Sequence, residues 1–294
     1  MAKKLLFVYN PKSGKAKIKN NLSDILEIFT AAGYEITIRP TQYRGDAIEQ
    51  MAHRSPDYDL VVCGGGDGTL DEVVSGMMKS GFNTPVGYIP AGSTNDFGGS
   101  LGLPQNMVQA AEKIVKGENF ACDVGAFNDN VFVYVAAFGM FTDVSYETDQ
   151  DIKNMLGHMA YVLEGMKRLS SIRSFHLKIS YGDQVIEDDF VLGMITNSLS
   201  VGGFKGITGQ NVELDDGLFE VTMIKLPRNA MELNNIIVSL LNRDVNSEFM
   251  HYFKTAALTI ESEEELAWTL DGEFGGNHRL VQIENRNKAI EIRV

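Results

Sequence analysis

From Leu5 to Gly117, short apolar runs alternate with segments whose apolar residues recur every three or four positions. Leu5–Tyr9 predicts a strand, and Ile18, Leu22, Ile25, Leu26 and Phe29 mark one face of a helix. Tyr34–Arg39 predicts the next strand, and Ala47, Ile48, Met51 and Ala52 the next helix face. Leu60–Cys63 reads as a buried strand. Leu70, Val73, Val74, Met77 and Met78 then predict a helix reaching about Ser80, Val86–Ile89 a strand, and the segment from Asn106 a helix ended by Gly117. Such alternation predicts a mostly parallel, helix-covered sheet. Ligands of these sheets gather at the carboxyl ends of strands. The loops Asn10–Lys17, Thr41–Gly45, Gly64–Thr69 and Ala91–Phe97 all leave such ends, so they are expected to converge.

After Cys122 the pattern changes to period-two runs separated by turn residues. Val124–Phe127, Val131–Ala137, Phe175–Tyr181 and Val185–Thr196 are the first of these, with Asn128-Asp129-Asn130 and Gly182-Asp183 as turns. Leu218–Lys225, Ala257–Glu261, Arg279–Glu284 and Ala289–Val294 follow. Two helical patterns interrupt them, at about Asp149–Leu169 and Asn229–Leu241. The expected architecture is an α/β domain over residues 1–123 and a mainly antiparallel, β-rich domain over residues 124–294, with the active site in a cleft between them.

Composition narrows the class. With 294 residues, 44% hydrophobic and 22% charged, the chain can bury the cores of two domains. Two cysteines, Cys63 and Cys122, make no disulfide framework and fit a reducing cytoplasm. No apolar stretch approaches the roughly 20 residues that span a bilayer. The formal charge of −13 excludes broad electrostatic attachment to nucleic acid or anionic lipid. The five histidines show no zinc-binding spacing. Against the acidic background, Lys12, Lys15, Lys17 and Lys19 cluster after the first strand, among glycine and serine that suit a phosphate-facing patch.

Four short motifs carry the candidate chemistry. NPKSGK (Asn10–Lys15) is not a Walker A loop, and GGGDGT (Gly64–Thr69) lacks the last glycine of a dinucleotide fingerprint. Both nevertheless offer close backbone approach, and Asp67 inside the glycine run needs a cation or a hydroxyl partner. PAGSTNDF (Pro90–Phe97) adds hydroxyl, amide and carboxylate groups, although alone it reads as a capped turn. WTLDGEFGG (Trp268–Gly276) sets Asp271 and Glu273 two residues apart, on one side of an extended strand. Alone, Asp271-Gly272 reads as a turn.

In this order and spacing the four motifs resemble the soluble bacterial lipid kinases of the diacylglycerol kinase catalytic-domain family, relatives of sphingosine kinases and, more distantly, of NAD kinase and 6-phosphofructokinase. The resemblance covers essentially the whole chain. It implies phosphate transfer from ATP to a lipid hydroxyl at the membrane surface, with Mg²⁺ as cofactor. Nucleotide contacts would fall on Asn10, Pro11, Lys12, Ser13, Gly14, Lys15, Thr41, Gly65, Gly66, Asp67, Gly68, Thr69 and Thr94. Asp67, Asp96 and Asp123 would form an acidic network around the ion, and Glu273 would be the general base with Asp271 beside it. It further implies a structural Mg²⁺ at ELDDGLFEV, held by Asp216 and the carbonyls of Glu213 and Leu218. Taken alone, that stretch is a turn entering a strand. One position departs from the family pattern: Asp71 stands where Asn is common. The expected setting is cytoplasmic with transient peripheral membrane contact, and a homodimer is one of the assemblies left open. Other acceptors, namely a sphingoid base, a prenol or NAD, also remain open, as does a silent nucleotide-binding regulator.

Overall fold

Buried parallel strands need uninterrupted apolar sequence, and the first strands supply it. In the computed structural model, which describes residues 3–54, 57–139, 173–205, 207–209, 211–241 and 248–294, β1 (Lys3–Tyr9), β2 (Tyr34–Pro40), β3 (Leu60–Gly65) and β4 (Val86–Pro90) pair in the order β2-β1-β3-β4. Every pair is parallel. Around them lie α1 (Ser13–Ala16), α2 (Ile18–Ala31), α3 (Asp46–Arg54), α4 (Asp67–Ser80), α5 (Asp96–Ser100) and α6 (Met107–Lys116). The amphipathic faces of α2 and α6 supply Ile18, Ile25, Phe29, Ala110 and Ile114 to a core shared with Leu5, Phe7, Val62 and Ile89. Asn106 caps α6 by accepting the N–H groups of Val108 (3.0 Å) and Gln109 (3.1 Å).

The chain divides into two units, one running up to Val124 and joined by Asn287–Val294, the other Gly125–Arg286. The final eight residues, assigned by their sequence pattern to the second domain, are therefore part of the first. The long strand β15 (Glu273–Arg293) ends with Ile292 and Arg293 paired in parallel to Val86 and Gly87 of β4. Two anchors explain this. Buried Asp123 accepts Asn287 Nδ2–H (3.0 Å) and the Lys288 N–H (2.7 Å), and Glu118 and Val294 exchange backbone hydrogen bonds. Alternation along Ala289–Val294 identifies a strand but not the sheet it joins.

The second unit is antiparallel. Strands β5 (Asn119–Phe127), β6 (Asn130–Phe132), β7 (Val135–Gly139), β8 (Phe175–Tyr181), β9 (Gln184–Thr196), β10 (Ser200–Val201), β11 (Phe204–Lys205), β12 (Phe219–Lys225), β13 (Met250–Thr255) and β14 (Ala257–Leu270) precede β15. Their main path is β13-β12-β9-β7-β14-β15, with antiparallel registers throughout. Helix α7 (Ala230–Leu241) stands where periodicity predicts it. Phe127 and Phe138 each meet Trp268 edge-on at 5.0 Å in the core. The helix expected at about 149–169 lies outside the described residues. Among those described, no helix is long and apolar enough to cross a membrane.

Candidate active site

The carboxyl ends of β1, β3 and β4 carry three loops that interlock through two backbone hydrogen bonds and one to a serine hydroxyl. Asn10 N–H donates to Gly64 O (2.8 Å), Gly66 N–H to Ser13 Oγ (3.3 Å) and Ala91 N–H to Gly65 O (2.7 Å). Glycine is required at two of the crossings. Gly14 has φ +53°, and a Cβ there would lie 2.1 Å from Ala91 O; one on Gly92 would lie 2.5 Å from Gly66 Cα. The fourth loop joins through Thr41 N–H to Tyr9 O (2.9 Å), and Glu72 holds it by accepting Gly45 N–H (2.8 Å) and Ala47 N–H (3.3 Å). The sequence reading did not single out Glu72. The only signal was its place on α4, five residues after Asp67.

The glycine run is shared between two structural tasks. Gly64 and Gly65, expected in the loop, are the last residues of β3 and are buried. A Cβ on Gly64 would meet Ile18 and Phe7, and one on Gly65 would meet Thr69, so these two glycines serve close packing. The loop itself begins at Gly66, which caps α4, with Asp67 as the first helical residue. Thr69 is buried beneath Gly65, whereas Gly66, Asp67 and Gly68 are half-buried at the surface of the turn. Asn10, Pro11, Ser13, Gly14, Thr41 and Thr94 are half-buried on the neighbouring loops and Lys12 is exposed. Lys15 lies in α1.

Asp67 ties the second loop to the third. Its carboxylate accepts Asp96 N–H (3.1 Å) and Phe97 N–H (3.4 Å) at the start of α5. Asn95 shapes that loop: it adopts φ +55°, accepts Gly92 N–H (2.8 Å) and donates to Gly92 O (3.0 Å). Underneath, burial pushes the Tyr88 phenol well above its usual range, with Asp67, Cys63 and Asp96 adding to the effect. Burial likewise raises the Cys63 thiol, with Glu72 and Asp67 contributing, so Cys63 is an inert core residue. Loops that cross on bare backbone, with half-buried Asp67 at their junction, suit phosphate oxygens accompanied by a hard cation.

Asp123, expected in the same acidic network, is fully buried and its carboxylate is engaged by Asn287 and Lys288. Those two bonds retain the returning end of β15.

In the second unit, Asp271 and Gly272 join β14 to β15 as a two-residue hairpin turn, with φ +50° and +85°. The Asp271 side chain is 4% exposed and accepts the N–H groups of Val133 (2.6 Å), Tyr134 (3.0 Å) and Val135 (2.9 Å). These bonds break the strand expected at Val131–Ala137 into β6 and β7. Through them the carboxylate of Asp271, expected in the catalytic site, also positions the turn from which exposed Glu273 follows. Asp271→Ala would strand three buried donors and place alanine at positive φ. The expected loss is about 3–5 kcal/mol, and thermal unfolding should show a fall of about 10 °C.

Asp216, expected to hold a structural ion with the carbonyls of Glu213 and Leu218, has partners within the chain. Its Oδ1 accepts Leu218 N–H (2.9 Å), its Oδ2 lies 3.5 Å from Lys254 Nζ, and Glu213 is exposed. Among the described residues, no three His, Cys, Asp or Glu side chains are grouped to hold a metal. Lys254 Nζ is also 2.9 Å from Oε1 of Glu220. Burial pushes the Glu220 carboxyl up to about 7 against the pull of Lys254. Lys254 itself, although burial works against its charge, is raised because Glu220 and Asp216 stabilise the ammonium.

Residues 4–127 match the family model of the diacylglycerol kinase catalytic domain, and residues 135–292 that of the YegS C-terminal NAD kinase beta sandwich-like domain. A diacylglycerol kinase of Bacillus subtilis (strain 168) is 32% identical over 93% of this chain and 91% of its own length. One from Staphylococcus carnosus (strain TM300) is 34% identical over 94% and 90%. The crystal structure of a diacylglycerol kinase from Bacillus anthracis superposes with a TM-score of 0.76 at 26% identity, covering 99% of this chain and 97% of that one.

Proposed function

This chain is a lipid kinase belonging to the diacylglycerol kinase catalytic-domain family, and on that premise we propose that it transfers the γ-phosphate of Mg·ATP to the free hydroxyl of diacylglycerol, giving phosphatidic acid. The observation that carries this reading is the interlocked set of loops that cross on the bare backbone of Gly14, Gly66 and Gly92, with Asp67 at the junction. On this reading the phosphates lie against Asn10–Gly14, Gly66–Thr69 and Thr94, with Thr41 and Gly65 completing the surround. Lys12 and Lys15 offset phosphate charge. Asp67 and Asp96 hold Mg²⁺ or its water, and that ion supplies neutralisation of charge on the transferring group. Glu273 accepts the proton of the acceptor hydroxyl. The enzyme meets its acceptor at the membrane surface, in transient peripheral contact from the cytoplasm.

Transfer of label from Mg·ATP to dioleoylglycerol, sphingosine, undecaprenol and NAD in mixed micelles tests the reading. Label in dioleoylglycerol is expected. Label confined to another acceptor overturns the assignment of substrate, and intact ATP binding with no transfer overturns the assignment of activity.

The loop crossings give a second test. Gly92→Ala drives a methyl group into Gly66 and within 2.8 Å of Asn95 Oδ1. It should raise KM for ATP about tenfold or more, equivalent to about 1.4 kcal/mol of binding. Gly99→Ala, whose added Cβ meets nothing within 4 Å, is the matched control and should leave KM unchanged.

A further inference from the structure

The acidic turn before β12 has a cation of its own. We propose that the ammonium of Lys254 fills the role of a structural metal in the segment Glu213–Val221, so that this segment folds without a divalent ion. Strand register creates the arrangement. Glu220 of β12 lies directly opposite Lys254 of β13, and two residues along on each strand Thr222 faces Tyr252 on the same side. Lys254 Nζ lies 2.8 Å from Asn211 O, 2.9 Å from Glu220 Oε1 and 3.5 Å from Asp216 Oδ2. An ammonium has three protons, and three oxygens surround it.

Both oxygens of Asp216 are thereby engaged, Oδ1 with Leu218 N–H and Oδ2 with the ammonium. A divalent ion bound through Oδ2 would stand against the fixed charge of Lys254. Mg²⁺ also demands near-octahedral geometry and retains several waters, for which a carboxylate turned toward its own backbone is poorly prepared. The loop's approach to β13 is likewise set by the chain itself, because a Cβ on Gly209 would lie 2.4 Å from the Tyr252 hydroxyl. Glu220 makes the cation necessary: its side chain is 0% exposed, and a buried carboxylate deprived of its partner is costly.

Thermal unfolding of the nucleotide-free protein in EDTA and in millimolar MgCl2, at matched ionic strength, tests the proposal. Wild-type Tm should agree between the two within about 1 °C, because an ion that binds only the folded state would raise it. A gain of several degrees in Mg²⁺ that disappears in Asp216→Asn would overturn the proposal. Lys254→Met should lower Tm by about 6 °C or more, through the uncompensated Glu220; a variant melting with wild type would also overturn it. Should Lys254→Met fail to fold, the wild-type comparison decides alone.

Discussion

Asp67→Asn is expected to lower the rate of phosphate transfer about a thousandfold or more while costing only about 1 kcal/mol of stability. The two effects have different sources. The Asp67 carboxylate receives two backbone N–H groups from the start of α5. An asparagine keeps one acceptor oxygen for that task and turns an N–H2 toward the other donor, so the third loop loosens without being released. Thermal unfolding should register a fall of about 2–4 °C. On the proposed reading, loss of the negative charge is the larger matter, because an ion accompanying phosphate at the glycine crossing would need the hard anionic oxygen of Asp67. Single-turnover rates at saturating Mg·ATP separate the two contributions. If Asp67 only links the loops, the Asn variant will melt a few degrees lower and transfer phosphate within a few-fold of the parent rate, and its assignment to the ion is then wrong.

That double duty marks how far the sequence could be read. The glycine run, its strand-to-helix setting and the need of Asp67 for a partner were legible, because buried strands and amphipathic helices have distinct periods. The amides of Asp96 and Phe97 as partners were not, since they lie about 30 residues away and only the folded loop aims them. Gly64 and Gly65 look like loop residues in sequence, yet close packing by Ile18, Phe7 and Thr69 puts them in the strand. The same limit explains the break between β6 and β7. Val133 and Tyr134 continue an unbroken β pattern, and what interrupts it is a carboxylate 138 residues further along the chain. Asp123 and Asp271 have the residue type and motif position of site acids, but their burial and the backbone donors they hold come from residues distant in sequence and could not be read there.

Glu273 remains as the carboxylate of its motif that is exposed, and Glu273→Gln is expected to reduce kcat by about 10²–10⁴-fold with KM for ATP and Tm nearly unchanged. The side chains two residues apart in this hairpin make opposed predictions. Asp271 spends its charge on three amides of the chain, so its loss should appear chiefly as unfolding. Exposed Glu273 follows the turn directly, so its amide isostere should fold as the parent does. A proton acceptor must also reach its proton, within about 2.6–3.2 Å between heavy atoms. Glu273→Asp, which retains the charge and shortens the reach by one methylene, should therefore be impaired as well. A Glu273→Gln protein that transfers phosphate at the parent rate would remove Glu273 from the chemistry. A Glu273→Asp protein that does so would reduce its contribution to bulk charge, because only proton transfer depends on where the carboxylate ends.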